Sequence, residues 1–93
     1  MHKALCCPCS ACLAHIDAHE PRLHAFATLT AESALADAKA ADAEIEAAGT
    51  TKGPMHGVPI ALKDLYAVAG VPNMGGSKAL EDSVPAVDCT VVR

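Results

Sequence analysis

The feature that most constrains this chain is the short apolar run at residues 57–65, GVPIALKDL, which carries one lysine and one aspartate near its end. A run of this length, entered through Gly-x-Pro, is typical of a buried β-strand rather than a helix. Because Pro59 has no N–H to donate to a neighbouring strand, it fits at the start of the strand. Lys63 then lies where the strand leaves the core.

Lys63 is the basic residue of this run, and two interpretations of it are open. Its side chain either reaches water or is held half-desolvated in a cleft. Burial disfavours the charged ammonium and lowers the pKa of a lysine, by up to roughly 3–5 units when burial is complete. A neutral lysine can act as a general base near pH 7. The neighbouring Asp64 is interpreted as a cap for the turn that follows it.

A loop rich in glycine and proline, residues 69–77, follows this run. Such a loop can present backbone N–H groups to an anion. It lacks the Gly-Lys-Ser/Thr ending of a P-loop, so no nucleotide site is predicted. Ser77 follows two glycines, but it belongs to the loop after the lysine run and no partner group for catalysis is indicated beside it. Ser77 is therefore not predicted to be a nucleophile.

The first half of the chain has helical spacing of its apolar residues. The pattern predicts a helix over residues 10–19 that ends near Pro21, because the residue before proline avoids the α region. Residues 23–29 alternate as in a strand. A second helix is predicted over residues 30–48, and Gly49 stops it.

Cysteines near the N-terminus leave two interpretations open. His15 and His19 fall on the same helical face as Cys12, so a Cys/His metal module is one hypothesis. A structural zinc site needs four ligands, usually as two separated pairs. We therefore prefer a disordered, Cys-rich segment over residues 1–9, with no metal ligand and no cofactor. Cys6, Cys9 and Cys12 form two overlapping C-x-x-C spacings, and Cys7 lies beside them.

Length and charge exclude several classes of protein. A chain of 93 residues suffices for one small domain, which buries roughly 60–65% of its unfolded surface. The net charge of −4 and the absence of a lysine or arginine cluster argue against a nucleic-acid surface. No apolar run approaches the ~20 residues that span a bilayer. Because the start lacks the apolar region of a signal peptide, the predicted location is cytoplasmic.

Residues 53–93 resemble the amidase signature family, which includes bacterial amidases and the A subunit of glutamyl-tRNA(Gln) amidotransferase. The match rests on G-x-P-x-x-x-K-D followed by A-G-V-P and G-S-K-A-L, and it extends upstream through SACLAHI and PRLHAF. The resemblance implies an α/β fold in which helices flank a mixed central sheet. Residues 10–93 would be the N-terminal portion of that domain, with a few of its strands, and incomplete as a domain.

The family hydrolyses or transfers carboxamides with a Ser–cis-Ser–Lys triad, and its lysine corresponds to Lys63. The two serines of the family lie further downstream and correspond to no residue of this chain. The resemblance therefore implies an N-terminal fragment of an amide hydrolase that acts on a small-molecule amide when complete. The isolated chain is predicted to be inactive, because it lacks the nucleophile.

The sequence leaves two alternative functions open. The chain would equally fit a fragment of the A subunit of a glutaminyl- or asparaginyl-tRNA amidotransferase. It would also fit a non-catalytic remnant that binds a partner, for which the remainder of a split amidase is the natural candidate. In each case neither a nucleic-acid surface nor a membrane contact is predicted.

Overall fold

The chain is described by a computed structural model over residues 6–93, which fall into two compact units. The first unit ends at Ile60 and contains two helices, α1 (Cys6–Leu23) and α2 (Ala31–Ala48). The second unit, Ala61–Arg93, consists of turns and irregular backbone around one 3₁₀ turn, Lys78–Leu80. Neither α1 nor α2 has a stretch that is long and apolar enough to cross a membrane.

The predicted α/β fold class is wrong for residues 6–93, which contain two α-helices and no strand. A strand exists only as a ladder of hydrogen bonds with a second backbone. Residues 57–65 instead have a local turn at each end. In the first turn the Val58 N–H donates to the Met55 carbonyl (3.1 Å), and in the second the Tyr66 N–H donates to the Lys63 carbonyl (3.0 Å). The apolar pattern is present, but no described segment supplies the partner strand.

The strand predicted over residues 23–29 is also absent. The Phe26 amide donates to the Glu20 carboxylate at 3.0 Å, so this segment folds back on the end of α1. His24 closes the helix by donating to the Glu20 carbonyl (2.9 Å), and its φ of 48° turns the chain away. The local bonds to Glu20 therefore override a weak alternating pattern.

Helix α1 is longer at both ends than the sequence predicts. It begins at Cys6, so residues 6–9, predicted to be disordered, are helical; residues 1–5 of that segment lie outside the described residues. Pro8 is tolerated because the first turn of a helix has no use for its missing N–H. Pro21 does not end the helix either, since it removes a single backbone bond and the helix continues to Leu23.

Helix α2 agrees closely with its prediction. It ends where Gly49, with φ 71°, donates its N–H to the Ile45 carbonyl at 2.8 Å. Its buried face consists of Ala38, Ala41 and Ile45, and α2 contacts α1. On α1 the buried side chain is Cys9, which is only 3% exposed. Three of these four side chains are small, so the buried apolar area depends heavily on Ile45.

A polar network ties the loop after α2 back to the helix. Glu44 Oε2 contacts Lys52 Nζ at 2.7 Å and His56 Nε2 at 3.1 Å. The Lys52 backbone N–H donates to His56 Nδ1 (3.1 Å), so the neutral imidazole carries its proton on Nε2 and donates it to Glu44. The hydrogen bond from Lys52, with a smaller contribution from His56, lowers the pKa of Glu44 below its ordinary value of 4.5.

Candidate functional site

Lys63, the predicted catalytic residue, lies at the start of a tight turn in the second unit. The turn is closed by the hydrogen bond from the Tyr66 N–H to the Lys63 carbonyl (3.0 Å). The Lys63 side chain is exposed. The desolvation that would favour a neutral amine is therefore not provided by the described residues. The catalytic role of Lys63 stays a prediction.

Asp64 connects this turn to the glycine-rich loop. Its carboxylate Oδ1 accepts a hydrogen bond from the Met74 N–H at 3.1 Å. Its backbone carbonyl accepts from the Gly75 N–H at 2.9 Å and from Asn73 Nδ2 at 3.1 Å. The prediction that Asp64 caps its own turn is wrong, because its carboxylate reaches a segment ten residues further along the chain. Asp64 thereby holds the glycine-rich loop beside Lys63.

Gly75 makes the close approach of this loop possible. Its φ is 56°, in the left-handed region that side chains rarely adopt. A Cβ at this position would also lie 3.4 Å from Leu65 Cδ2 and 3.8 Å from the Asp64 carbonyl oxygen. The conformation and the short distances together account for a glycine directly opposite the lysine turn.

Asn73 is a site residue that the sequence reasoning missed. Its side-chain amide donates to the Asp64 carbonyl and lies 3.5 Å from the Tyr66 carbonyl. Its own N–H donates to the Ser83 carbonyl at 2.9 Å, so it links three segments of the second unit. The signal was an asparagine within a Pro/Gly-rich stretch, where amide side chains often bond to backbone groups.

Ser77 has a structural position in this unit. Its hydroxyl accepts a hydrogen bond from the Ala79 N–H at 3.3 Å and caps the 3₁₀ turn Lys78–Leu80. Its own N–H donates to the Met74 carbonyl at 3.0 Å. Both bonds are local, as for an ordinary turn residue. The site described here thus comprises Lys63 and the Asp64-anchored loop.

Removing the Asp64 carboxylate should loosen the loop beside Lys63. In Asp64→Ala the Met74 N–H loses its acceptor, which costs about 1–3 kcal/mol for a buried donor and less where water replaces it. We expect the Met74 amide to exchange its hydrogen roughly tenfold faster, as for a loss of about 1.4 kcal/mol. Asp82→Ala, at an exposed acidic position of the same unit, is the matched control. Unchanged exchange at Met74 would contradict the anchoring role.

Comparison with known proteins shows which family and which relatives this chain is similar to. The Amidase family model matches residues 9–93. The A subunit of glutamyl-tRNA(Gln) amidotransferase from Acidothermus cellulolyticus is 47% identical over 83 residues, which cover 86% of this chain and 16% of the relative. Its counterpart from Chloroflexus aurantiacus is 46% identical over 82 residues, which cover 88% of this chain and 17% of the relative.

One solved structure shares the fold of nearly the whole chain. It comes from work on a vestigial protein complex that reveals the evolutionary origins of an s-triazine catabolic enzyme. The match has a TM-score of 0.88 and 32% sequence identity, and it covers 97% of this chain and 20% of the other. This chain thus spans 16–17% of the length of the two curated relatives and a fifth of that solved chain.

Proposed function

This chain belongs to the amidase family, and from that premise we propose that it supplies the lysine-bearing, N-terminal portion of an amide hydrolase with a Ser–cis-Ser–Lys triad. The observation that carries the proposal is the family match over residues 9–93, which includes Lys63 in the sequence Gly-x-Pro-x-x-x-Lys-Asp. In the complete enzyme the substrate is a small carboxamide. The chemistry needs no cofactor, and the location proposed for it is the cytoplasm.

Lys63 acts as the general base in the proposed reaction. Its neutral amine takes a proton from the bridging serine, which takes one from the nucleophilic serine as that oxygen attacks the amide carbonyl. The C–N bond then breaks as the nitrogen takes a proton back from Lys63 through the bridging serine and leaves as ammonia, and water hydrolyses the acyl-enzyme. Both serines belong to segments that complete the enzyme. Because Lys63 is exposed in this chain, the same segments must also desolvate its amine.

The proposed partner is the remainder of an amidase domain. Large apolar side chains flank the unit boundary and are exposed: Val58 at 47%, Ile60 at 69%, Leu62 at 41% and Leu65 at 61%. Their exposure leaves apolar surface that another segment of the domain could bury. A segment from the remaining domain would bury these side chains.

Two specific observations support second candidates. The curated relatives reported above belong to glutamyl-tRNA(Gln) amidotransferase, which favours a role in amide transfer to an acceptor instead of hydrolysis. The solved relative comes from a vestigial protein complex, which favours a non-catalytic, partner-binding role. Both candidates retain the interaction through residues 57–65 and differ from the first proposal in their chemistry.

A chimeric protein separates the three possibilities. In the relative from A. cellulolyticus the matching segment is replaced by this chain, and ammonia release from simple carboxamides is measured. We expect activity from the chimera, and none from the relative with the segment deleted or from this chain alone. Ammonia release that requires glutamyl-tRNA(Gln) and the other subunits would instead support the amidotransferase role.

Two outcomes would contradict the hydrolase proposal directly. A chimera that folds and assembles but releases no ammonia would favour the partner-binding role. Serine-dependent ammonia release by this chain alone would show that it contains its own nucleophile. Circular dichroism of each protein ensures that inactivity is not mistaken for failure to fold.

A further inference from the structure

A second candidate site lies on helix α1, far in sequence from Lys63. His15 and His19 are one helical turn apart, so their side chains share one face of α1. Their ring centroids are 4.6 Å apart and the ring planes are inclined at 59°. We propose that His15 and His19 together bind one divalent transition-metal ion of the zinc or nickel type.

The separation of the two rings suits a shared metal ion. With metal–nitrogen bonds of about 2.0–2.1 Å, two imidazoles at adjacent coordination positions have ring centres roughly 4.5–5 Å apart. The observed 4.6 Å lies in that range. Binding therefore requires rotation of the rings about their side-chain bonds and no movement of the helix backbone.

The surroundings of the two histidines form an open, mostly apolar cavity of about 710 Å³. Its wall includes Ile16, Leu23 and Phe26, and His19 is half-buried against it. Glu20 also lines the cavity, and its Oε1 accepts the Phe26 N–H at 3.0 Å, which orders the wall next to His19. The open side of the cavity leaves room for water at the remaining coordination positions.

The proposed site differs from the four-ligand Cys/His module considered from the sequence. Within residues 6–93 no group of three or more His, Cys, Asp or Glu side chains is arranged to hold a metal ion. Cys12 lines the same cavity but forms no group of three ligands with the two histidines, so it is not assigned as a ligand. Two imidazoles therefore provide the protein ligands, and water fills the other coordination positions. Imidazole suits zinc, copper and nickel.

Nickel titration of the whole chain, made without a polyhistidine tag, tests the proposal. We expect one Ni²⁺ per chain by calorimetry at neutral pH with the thiols reduced. His15→Gln or His19→Gln should weaken binding by about tenfold or more, since the loss of even an outer-shell partner typically costs 10–100-fold. His24→Gln, which follows the end of α1, is the matched control and should leave binding unchanged. Cys12→Ser should also leave it unchanged.

A second readout separates metal binding from a folding defect. A ligand that binds only the folded state raises the thermal midpoint of unfolding. Nickel should raise the midpoint of the helical signal in the unsubstituted chain and in Cys12→Ser, and not in either His→Gln variant. Nickel binding that survives both His→Gln substitutions, that is lost in Cys12→Ser, or that is absent from the unsubstituted chain would overturn the proposal.

Discussion

Lys63→Met in the chimeric protein should lower the rate of ammonia release by about 10⁴-fold to 10⁶-fold, the range seen when members of a serine-protease triad are removed. Methionine keeps a flexible side chain of similar length and has no basic nitrogen. Without a base, the serine hydroxyl attacks the amide carbonyl far more slowly. The measurement is the rate of ammonia release at saturating substrate, for chimeras of equal helical content.

Two further variants test what Lys63 contributes. Lys63→Arg keeps the positive charge, but a guanidinium does not give up its proton in proteins, so it should be as inactive as Lys63→Met. Activity in Lys63→Arg would show that a cation, and not a base, is required. Lys78→Met, at an exposed lysine of the same unit, is the matched control and should retain activity. Retained activity in Lys63→Met would remove the lysine from the mechanism.

Ile45→Ala should have the largest effect on stability in the helical unit, at about 2–5 kcal/mol. Ile45 is 9% exposed and is the largest side chain on the buried face of α2, whose other members are Ala38 and Ala41. Alanine has the higher helix propensity, so any loss reports packing. A folded chain of this size is stable by roughly 5–14 kcal/mol, so this change removes a large share of the total.

The measurement for Ile45→Ala is urea unfolding followed by the helical circular dichroism signal. Ile60→Ala makes the same chemical change at a side chain that is 69% exposed, and it should shift the free energy of unfolding by no more than about 0.5 kcal/mol. Equal losses in the two variants would show that the α2 face is not the core of this unit. A loss confined to Ile45→Ala would confirm the packing described here.

Helical elements were predictable where local signals agreed. The end of α2 followed from Gly49, because a glycine in the left-handed conformation closes the last turn with its own N–H. Helical spacing groups Leu35, Ala38, Ala41, Ile45 and Ala48 on one face, of which Ala38, Ala41 and Ile45 are buried and Ala48 is exposed. Pro21 was a misleading signal, since α1 continues past it to Leu23.

The residue types of the candidate site were predictable from the sequence, and the hydrogen bonds between them were not. Lys63 and the glycine-rich loop stand out in the sequence, because a lysine after an apolar run and several glycines are both unusual locally. The bond from Met74 to the Asp64 carboxylate joins residues ten apart, and no periodic pattern encodes such a contact. The same holds for the Asn73 amide, whose partners are backbone carbonyls that any residue could provide.

The family resemblance, the position of Lys63 and the two-helix character of the first half could be read from the amino acids alone, because these depend on residue identity and on spacing within one segment. The absence of a strand at residues 57–65 emerged from the folded chain, since strand formation requires a second backbone at hydrogen-bonding distance. It also decided that Lys63 is exposed and that Asp64 anchors the neighbouring loop. Those outcomes depend on which segments meet in space, which spacing along a single chain does not specify.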